Sequence, residues 1–464
     1  VIVALGLRVG EVERTASYRP MNDGQSYLTL AREIAQTGDY AISHAPGSGA
    51  GGSTGPTAYF APAYPYFLAA VDLIDGDTTR GGRAVHAARL ATAVLGAGAV
   101  ALIGLVALEA FGESTALVAM LIAALYPPLI ELSGTPYSEN LLIVLELAAV
   151  WAALRARRAE NPFPWLGAAG ALTGLAALTH QNGIVILLPL IFCAIAAGRR
   201  WARRGAAQGR SDPAPQGHDG TPPGRDAKGP TFLRRAWFRT LAAPLLLVAV
   251  TALTIAPWTV RNAVLLHRFV PISDETGITL AGTYNSTSAA NREIPYKWTW
   301  YGVVPAYKPI ARRSLGMTEP ALSDRLTSAA FHYIGDHPLS PLQVAYHNLR
   351  RLLELEGTAA WHDSTASIGL SEGTARIGVY GFWVVAALAA VGLFTRRARK
   401  APEWLWVIPI LLAWSVLLVN SETPRFRSPV DPYLIMLAAC AIVSIGARLA
   451  PHLRRPRFGA PLPA

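Results

Sequence analysis

The sequence predicts an all-α polytopic membrane protein, a bundle of about ten transmembrane helices. Three observations predict it. The chain is 52% hydrophobic and only 15% charged, with a mean hydropathy of +0.30, whereas soluble domains carry about a quarter charged residues. Apolar stretches of about 20 residues recur, the length that crosses a hydrocarbon core of about 30 Å. The basic residues stand in short runs beside those stretches, so the net charge of +11 reads as membrane topology, with no nucleic-acid partner.

Taken in order, the opening VIVALGLRVG is too short to span and lacks the basic flank of a signal peptide. It reads as the outer end of a first span. A first loop over 8–83 follows, carrying YRPMNDGQSYLTLAREIAQTGDY and then TAYFAPAYPYFLA. Within it Tyr27, Leu30, Ala31 and Ile34 repeat at helical spacing and predict a juxtamembrane amphipathic helix. The glycine-rich run Gly47 to Gly55 has no GK[ST] and no strand-to-helix context, so it is a loop and not a phosphate cradle. Spans are expected at 86–108 and 114–132, the latter broken at Tyr126-Pro127-Pro128. Further spans follow at 139–154, 165–179 and 184–197, the last two flanking the polar knot His180-Gln181-Asn182-Gly183. Residues 199–235 have the composition of a disordered intracellular linker, and 241–258 spans again. Three units result: an N-terminal membrane module over 1–258, an extracytoplasmic region over 259–375, and membrane helices over 376–464, with spans at 377–394, 404–419 and 429–447.

The charges orient this bundle. With the first loop outside, the inner connections are all basic: 155–158, the linker, 396–400 and the C-terminal RRPR. The short outer connections hold only Arg425 and Arg427, which break the positive-inside rule. Only four of the 41 basic residues are Lys. With the Ala and Gly load, this points to a GC-rich bacterial genome and so to a bacterial inner membrane. Cys193 and Cys440 both lie in apolar stretches and give no disulfide or metal pattern.

On that topology Asp23, Glu131, Glu139, His180, Arg261, Arg425 and Arg427 fall on one side, which marks a site at the outer interface. Asp23 is either a helix cap or a catalytic base; Asn22, with Gln25 three residues on, can take the cap instead. Glu139 opens a span and suits the helix dipole there. Glu146 lies seven residues deeper, where packing is the preferred reading and function the alternative. Glu131 follows the Pro-Pro break, with either role open. Arg261, just past the end of a span, is a snorkelling anchor or an anion clamp. His180 is an interhelical histidine or a phosphate donor. Asn285-Ser286-Thr287 matches a glycosylation acceptor, a tripeptide common by chance. Trp298 and Trp300 are interfacial aromatics or sugar-stacking rings.

NDGQSYLTLAREIAQTGDY with FAPAYPYFLA, TPYSENLLIVLEL, GALTGLAALTHQNGIVILLPL, and PWTVRNAVLLHRFVPIS with RFRSPVDPYLIMLAA occur in this order on one side of the bundle. In this the chain resembles the bacterial GT-C glycosyltransferases of the protein-mannosyltransferase and lipid A aminoarabinose-transferase type. The resemblance implies a GT-C-like bundle and a polyprenyl-phosphate-linked sugar as donor. It maps the first-loop catalytic acid onto Asp23 and the second acid onto Glu139. Donor-phosphate contacts map to Arg261 and Arg425; Arg427 and His180 are further candidates for that contact, and Tyr27, Tyr59 and Tyr64 are candidates for substrate contact. Many relatives carry Arg or Lys where His180 stands.

The expected activity is inverting transfer of a hexosyl or pentosyl group to a hydroxyl of a glycan, lipid or protein acceptor. Asp23 would be the general base, and a divalent metal, Mg or Mn, would bridge Asp23, Glu139 and the phosphate. A flippase of lipid-linked sugars would instead predict internal repeats and polar groups at mid-membrane; no repeat is visible, and only Glu146 sits deep. A non-catalytic cell-envelope scaffold is the remaining alternative.

Overall fold

The structure, a computed structural model, describes residues 1–42, 55–76, 82–211 and 230–453. The glycine-rich segment up to residue 54, the middle of the linker (212–229) and the basic C-terminus lie outside the described residues.

The fold is helical. Its membrane part begins with α1 (Ile2–Arg14), and the first loop contributes α2 (Asn22–Thr37) and α3 (Ala63–Asp75). Next come α4 (Gly82–Phe111), α5 (Glu113–Leu125), α6 (Pro127–Ser133), α7 (Glu139–Arg158), α8 (Phe163–Thr179), α9 (Leu187–Ser211) and α10 (Pro230–Leu265). The following region folds as α11 (Thr276–Thr283), α12 (Ser286–Ala289), α13 (Lys308–Arg313), α14 (Glu319–Asp336), α15 (Ser340–Leu352) and α16 (Thr358–Ser367). The chain closes with α17 (Glu372–Leu393), α18 (Arg396–Arg399), α19 (Glu403–Leu417) and α20 (Asp431–Leu453).

Among the described residues, five helices are long and apolar enough to cross a membrane, six if α5 and α6 form one broken span. That multi-pass core is fewer than the expected ten or so. Helices α8 and α19 are shorter apolar helices, and α7 carries two glutamates and three arginines. The break at Tyr126-Pro127-Pro128 is real: α5 and α6 meet at 58°, because proline removes a helical donor and crowds the preceding turn.

Helix α7 is central and packs on α4, α8 and α9, while α10 lies along α8 and α17 along α20. Gly170 and Gly174 let α8 and α10 approach closely. A Cβ at Gly170 would stand 2.7 Å from the Leu247 carbonyl, and the Thr251 hydroxyl donates to the Gly170 carbonyl at 3.0 Å. Small residues four apart are a common means of close packing in membranes, where lipid supplies no hydrophobic drive between helices.

Two expectations are corrected. Helix α9 continues to Ser211 and α10 begins at Pro230, so both described ends of the 199–235 linker are helical. Helix α10 also runs to Leu265, which places Arg261 in its last turns rather than beyond its end.

The first loop folds back on the bundle. Helix α2 buries Tyr27, Leu30, Ala31 and Ile34, the four residues whose spacing predicted it. Two short strands, β1 (Ala41–Ile42) and β2 (Gly55–Pro56), pair antiparallel, Ala41 opposite Pro56. Arg261 fixes this strand pair: its Nη2 donates to the Tyr40 carbonyl and its Nη1 to the Thr57 carbonyl, each at 2.6 Å. Its guanidinium also lies over the Trp258 ring. The Glu319 carboxylate accepts from the Thr57 hydroxyl and, at 2.8 Å, from the Ala58 amide, tying α14 to the end of β2.

Candidate active site

The first-loop helix α2, the start of α7 and the loop before α20 converge on one guanidinium. Arg425 Nε donates to Glu139 Oε1 at 2.6 Å, and its Nη2 lies 2.7 Å from Asp23 Oδ2. The two acids, far apart in sequence, therefore meet through Arg425. Glu139 is buried, whereas the Asp23 side chain is 33% exposed, so the cluster opens to solvent at Asp23. Burial opposes the charge on Arg425, but Glu139 and Asp23 outweigh it and raise its pKa well above the ordinary arginine value. The guanidinium is further enclosed by the Tyr137 and Phe426 rings, each 4.7 Å away.

Asp23 is not a cap. Met21 precedes the first helical residue, and no side chain caps α2. Asn22, expected to cap, is itself the first helical residue; it takes a left-handed φ of 45° and donates to the Ser367 carbonyl at 2.9 Å. A short polar side chain able to find a local partner makes that conformation accessible to Asn.

Glu139 is held from below. Ser138 Oγ lies 3.4 Å from its Oε2 and shares a 3.1 Å hydrogen bond with Tyr27 Oη. Asn140 donates to the carbonyls of Leu132, Thr135 and Tyr137, each at 3.1 Å, and so sets the turn that aims Glu139.

His180 lines a small cavity with Glu139, Leu142, Asn182, Phe426 and Pro429. Its Nδ1 accepts from the Asn182 amide at 3.4 Å, which leaves the proton on Nε2. Burial lowers its pKa, against the pull of Glu139. Its neighbour Gln181 donates to Glu275 Oε1 at 2.9 Å. Burial, with the like charge of Asp23, pushes the Glu275 carboxyl up to about 8. Glu275 and Glu422, which also feels Asp23 and Arg425, escaped the sequence reading. For Glu422 the one available signal was an acid just past the expected span end at 419, on the same side as Asp23; Glu275 had no such signal.

Other expected site residues sit elsewhere. Arg427 is buried in a separate network: Nη1 donates to Glu354 at 2.6 Å and Nε to Asp431 at 3.1 Å. Glu131 lines a cavity with Arg427 and Glu354, away from Asp23. The Nη1 and Nη2 groups of Arg261 hold backbone carbonyls, as described. The four expected phosphate ligands thus do not converge; Arg425 and His180 alone share the Glu139 neighbourhood. Tyr27, Tyr59 and Tyr64 are buried, with Tyr27 packed on Phe60 and Tyr64 and Tyr59 on Phe60, a floor beneath the cluster rather than a displayed surface. Both Glu146 oxygens are buried without a hydrogen-bond partner among the described residues. Asn285 is buried and caps Ser288. Trp298 and Trp300 pack at 6.3 Å.

The expected metal does not suit this arrangement. Arg425 engages both of its supposed ligands, Asp23 and Glu139. Among the described residues no three His, Cys, Asp or Glu side chains converge as a metal would require.

Residues 60–208 match the family of dolichyl-phosphate-mannose-protein mannosyltransferases. No curated protein sequence matches the chain. Among solved structures, the chain is similar to the AglB oligosaccharyltransferase of Archaeoglobus fulgidus in complex with an inhibitory peptide and a dolichol-phosphate. The TM-score is 0.52 at 12% identity, over 100% of this chain and 52% of that one. The apo form of the Archaeoglobus fulgidus oligosaccharyltransferase gives 0.54 at 14%, over 97% and 51%. ArnT of Cupriavidus metallidurans bound to undecaprenyl phosphate gives 0.40 at 16%, over 100% and 81%. The chain spans about half the length of the oligosaccharyltransferase. The likeness to the oligosaccharyltransferase is one of fold, and the mannosyltransferase family is matched over residues 60–208 alone. The matched segment runs from the first-loop return at Phe60 into α9 and includes Glu139 and His180.

Proposed function

We propose that this protein is an inverting glycosyltransferase that moves a sugar from a polyprenyl phosphate to an acceptor hydroxyl on the extracytoplasmic side. The carrying observation is the Asp23–Arg425–Glu139 cluster, half open at Asp23 and closed at Glu139. The matched mannosyltransferase segment supports the lipid-phosphate donor.

Asp23 uses Oδ2 on Arg425, and its Oδ1 has no hydrogen bond among the described residues. Oδ1 takes the proton of the acceptor hydroxyl as that oxygen bonds to the anomeric carbon. The bond from that carbon to the phosphate oxygen breaks, and its electron pair leaves with the phosphate. Arg425 Nη1, which has no hydrogen bond among the described residues, and His180 Nε2 meet the growing negative charge. Donors already aimed at developing charge cost no reorganisation during the reaction. Glu139 positions Arg425.

The test is transfer of radiolabelled mannose from a polyprenyl-phosphate donor by the purified protein in lipid, with wild type beside Asp23→Asn. Transfer that survives the substitution undiminished would sink the base assignment. Lack of turnover with mannosyl, aminoarabinosyl and arabinosyl donors alike would favour a transporter or scaffold.

A further inference from the structure

Helix α15 is built with its polar side inward. Asn348 is buried and donates to the Leu417 carbonyl at 2.8 Å. Arg351 is buried too, donating to the Pro295 carbonyl at 2.9 Å and to Asn348 Oδ1 at 2.6 Å. The opposite face is apolar. Leu339, Leu342, Tyr346, Leu349 and Leu353 are 42% to 70% exposed, and their spacing of three and four residues makes one stripe. A helix that faces water shows the reverse pattern.

The surroundings say what covers this stripe. Helix α19 has 15 residues, about 22 Å at 1.5 Å per residue, too short for a hydrocarbon core of about 30 Å. Helix α15 packs against α19, and Asn348 binds a carbonyl in its last turn, so α15 occupies the missing depth. Its far end meets α17, where the Trp383 indole donates to the Leu353 carbonyl at 3.1 Å. Exposed Ile410 and Trp414 on α19, and Tyr380 and Val384 on α17, continue the apolar surface on either side. Those residues face lipid wherever these helices cross the membrane.

We infer that α15 is an interfacial membrane helix whose stripe from Leu339 to Leu353 is covered by the acyl chains of the adjoining leaflet. Such a helix lies in the plane of the interface with its apolar face about 5–10 Å into the acyl boundary. Part of the region read from sequence as wholly extracytoplasmic is thereby embedded. The inference is independent of the transfer reaction.

The test uses the full chain in nanodiscs of phosphatidylethanolamine and phosphatidylglycerol. An environment-sensitive dye is attached at Leu342→Cys or Leu349→Cys, with the exposed Asp336→Cys as reference; Cys193 and Cys440 are buried. At both stripe positions the expected result is blue-shifted emission, quenching by doxyl-labelled lipid, and loss of the iodide quenching seen at position 336. Iodide quenching equal to that at 336 would overturn the inference. So would shielding from iodide without lipid quenching, which would mean that a second copy or another protein covers the stripe.

Discussion

Arg425 Nε lies 2.6 Å from Glu139 Oε1, joining the loop before α20 to the first turn of α7. Both groups are buried, so neither tolerates loss of the other. Arg425→Ala leaves a carboxylate buried and unpaired, which costs about 3–5 kcal/mol. The expected outcome is a much lower unfolding temperature in detergent, partly restored in Arg425→Ala/Glu139→Ala. A double variant no more stable than the single would show that the pair is not the source.

Asp23 stands at the open end of the same cluster. Asp23→Asn keeps the shape and can still accept a hydrogen bond from Arg425, so the protein folds. A positioned base contributes about 10²- to 10⁴-fold, and transfer from a polyprenyl-phosphate sugar should fall by that factor. Initial rates at saturating donor measure it.

Glu275 gives a pH signature. Its folded pKa is about 8 against an ordinary 4.5. Between these values the folded state holds a proton that the unfolded chain has released, so this contribution to stability declines as pH rises from 4.5 and levels off above 8. Glu275→Gln removes the dependence. Its unfolding temperature should rise relative to wild type across that window, as thermal melts at pH 5 and pH 8 would measure. A gap that stays constant with pH would refute the assignment.

Arg261 fastens the β1–β2 pair by two backbone carbonyls. Arg261→Ala should raise amide hydrogen exchange at 40–42 and 55–58 and leave donor KM nearly unchanged. A large rise in KM with unchanged exchange would instead make Arg261 a donor contact.

Much of this was legible because membrane helices and amphipathic helices obey short-range rules. The face of α2 followed from four residues at helical spacing, and the α5–α6 break from two prolines. The two arginines that broke the charge rule, Arg425 and Arg427, proved to be buried. What stayed hidden depends on long-range geometry. Nothing local shows that Arg425 takes Asp23 and Glu139 while Arg427 takes Glu354 and Asp431. Asn22 looked like a cap because capping is a local preference, yet Ser367, far along the chain, claims its side chain. The stripe on α15 escaped because periodicity reveals an apolar face and not which way it points.

The double fastening of the first loop has a consequence for variation in chain length. The β1–β2 pairing and Arg261 clamp residues 40–42 to 55–57, on the way from α2 to Tyr59. Inserting or deleting residues between 42 and 55 therefore leaves the ends of that segment where they are. Asp23 is insulated from such changes, and this segment can diverge among variants of the protein without moving Asp23.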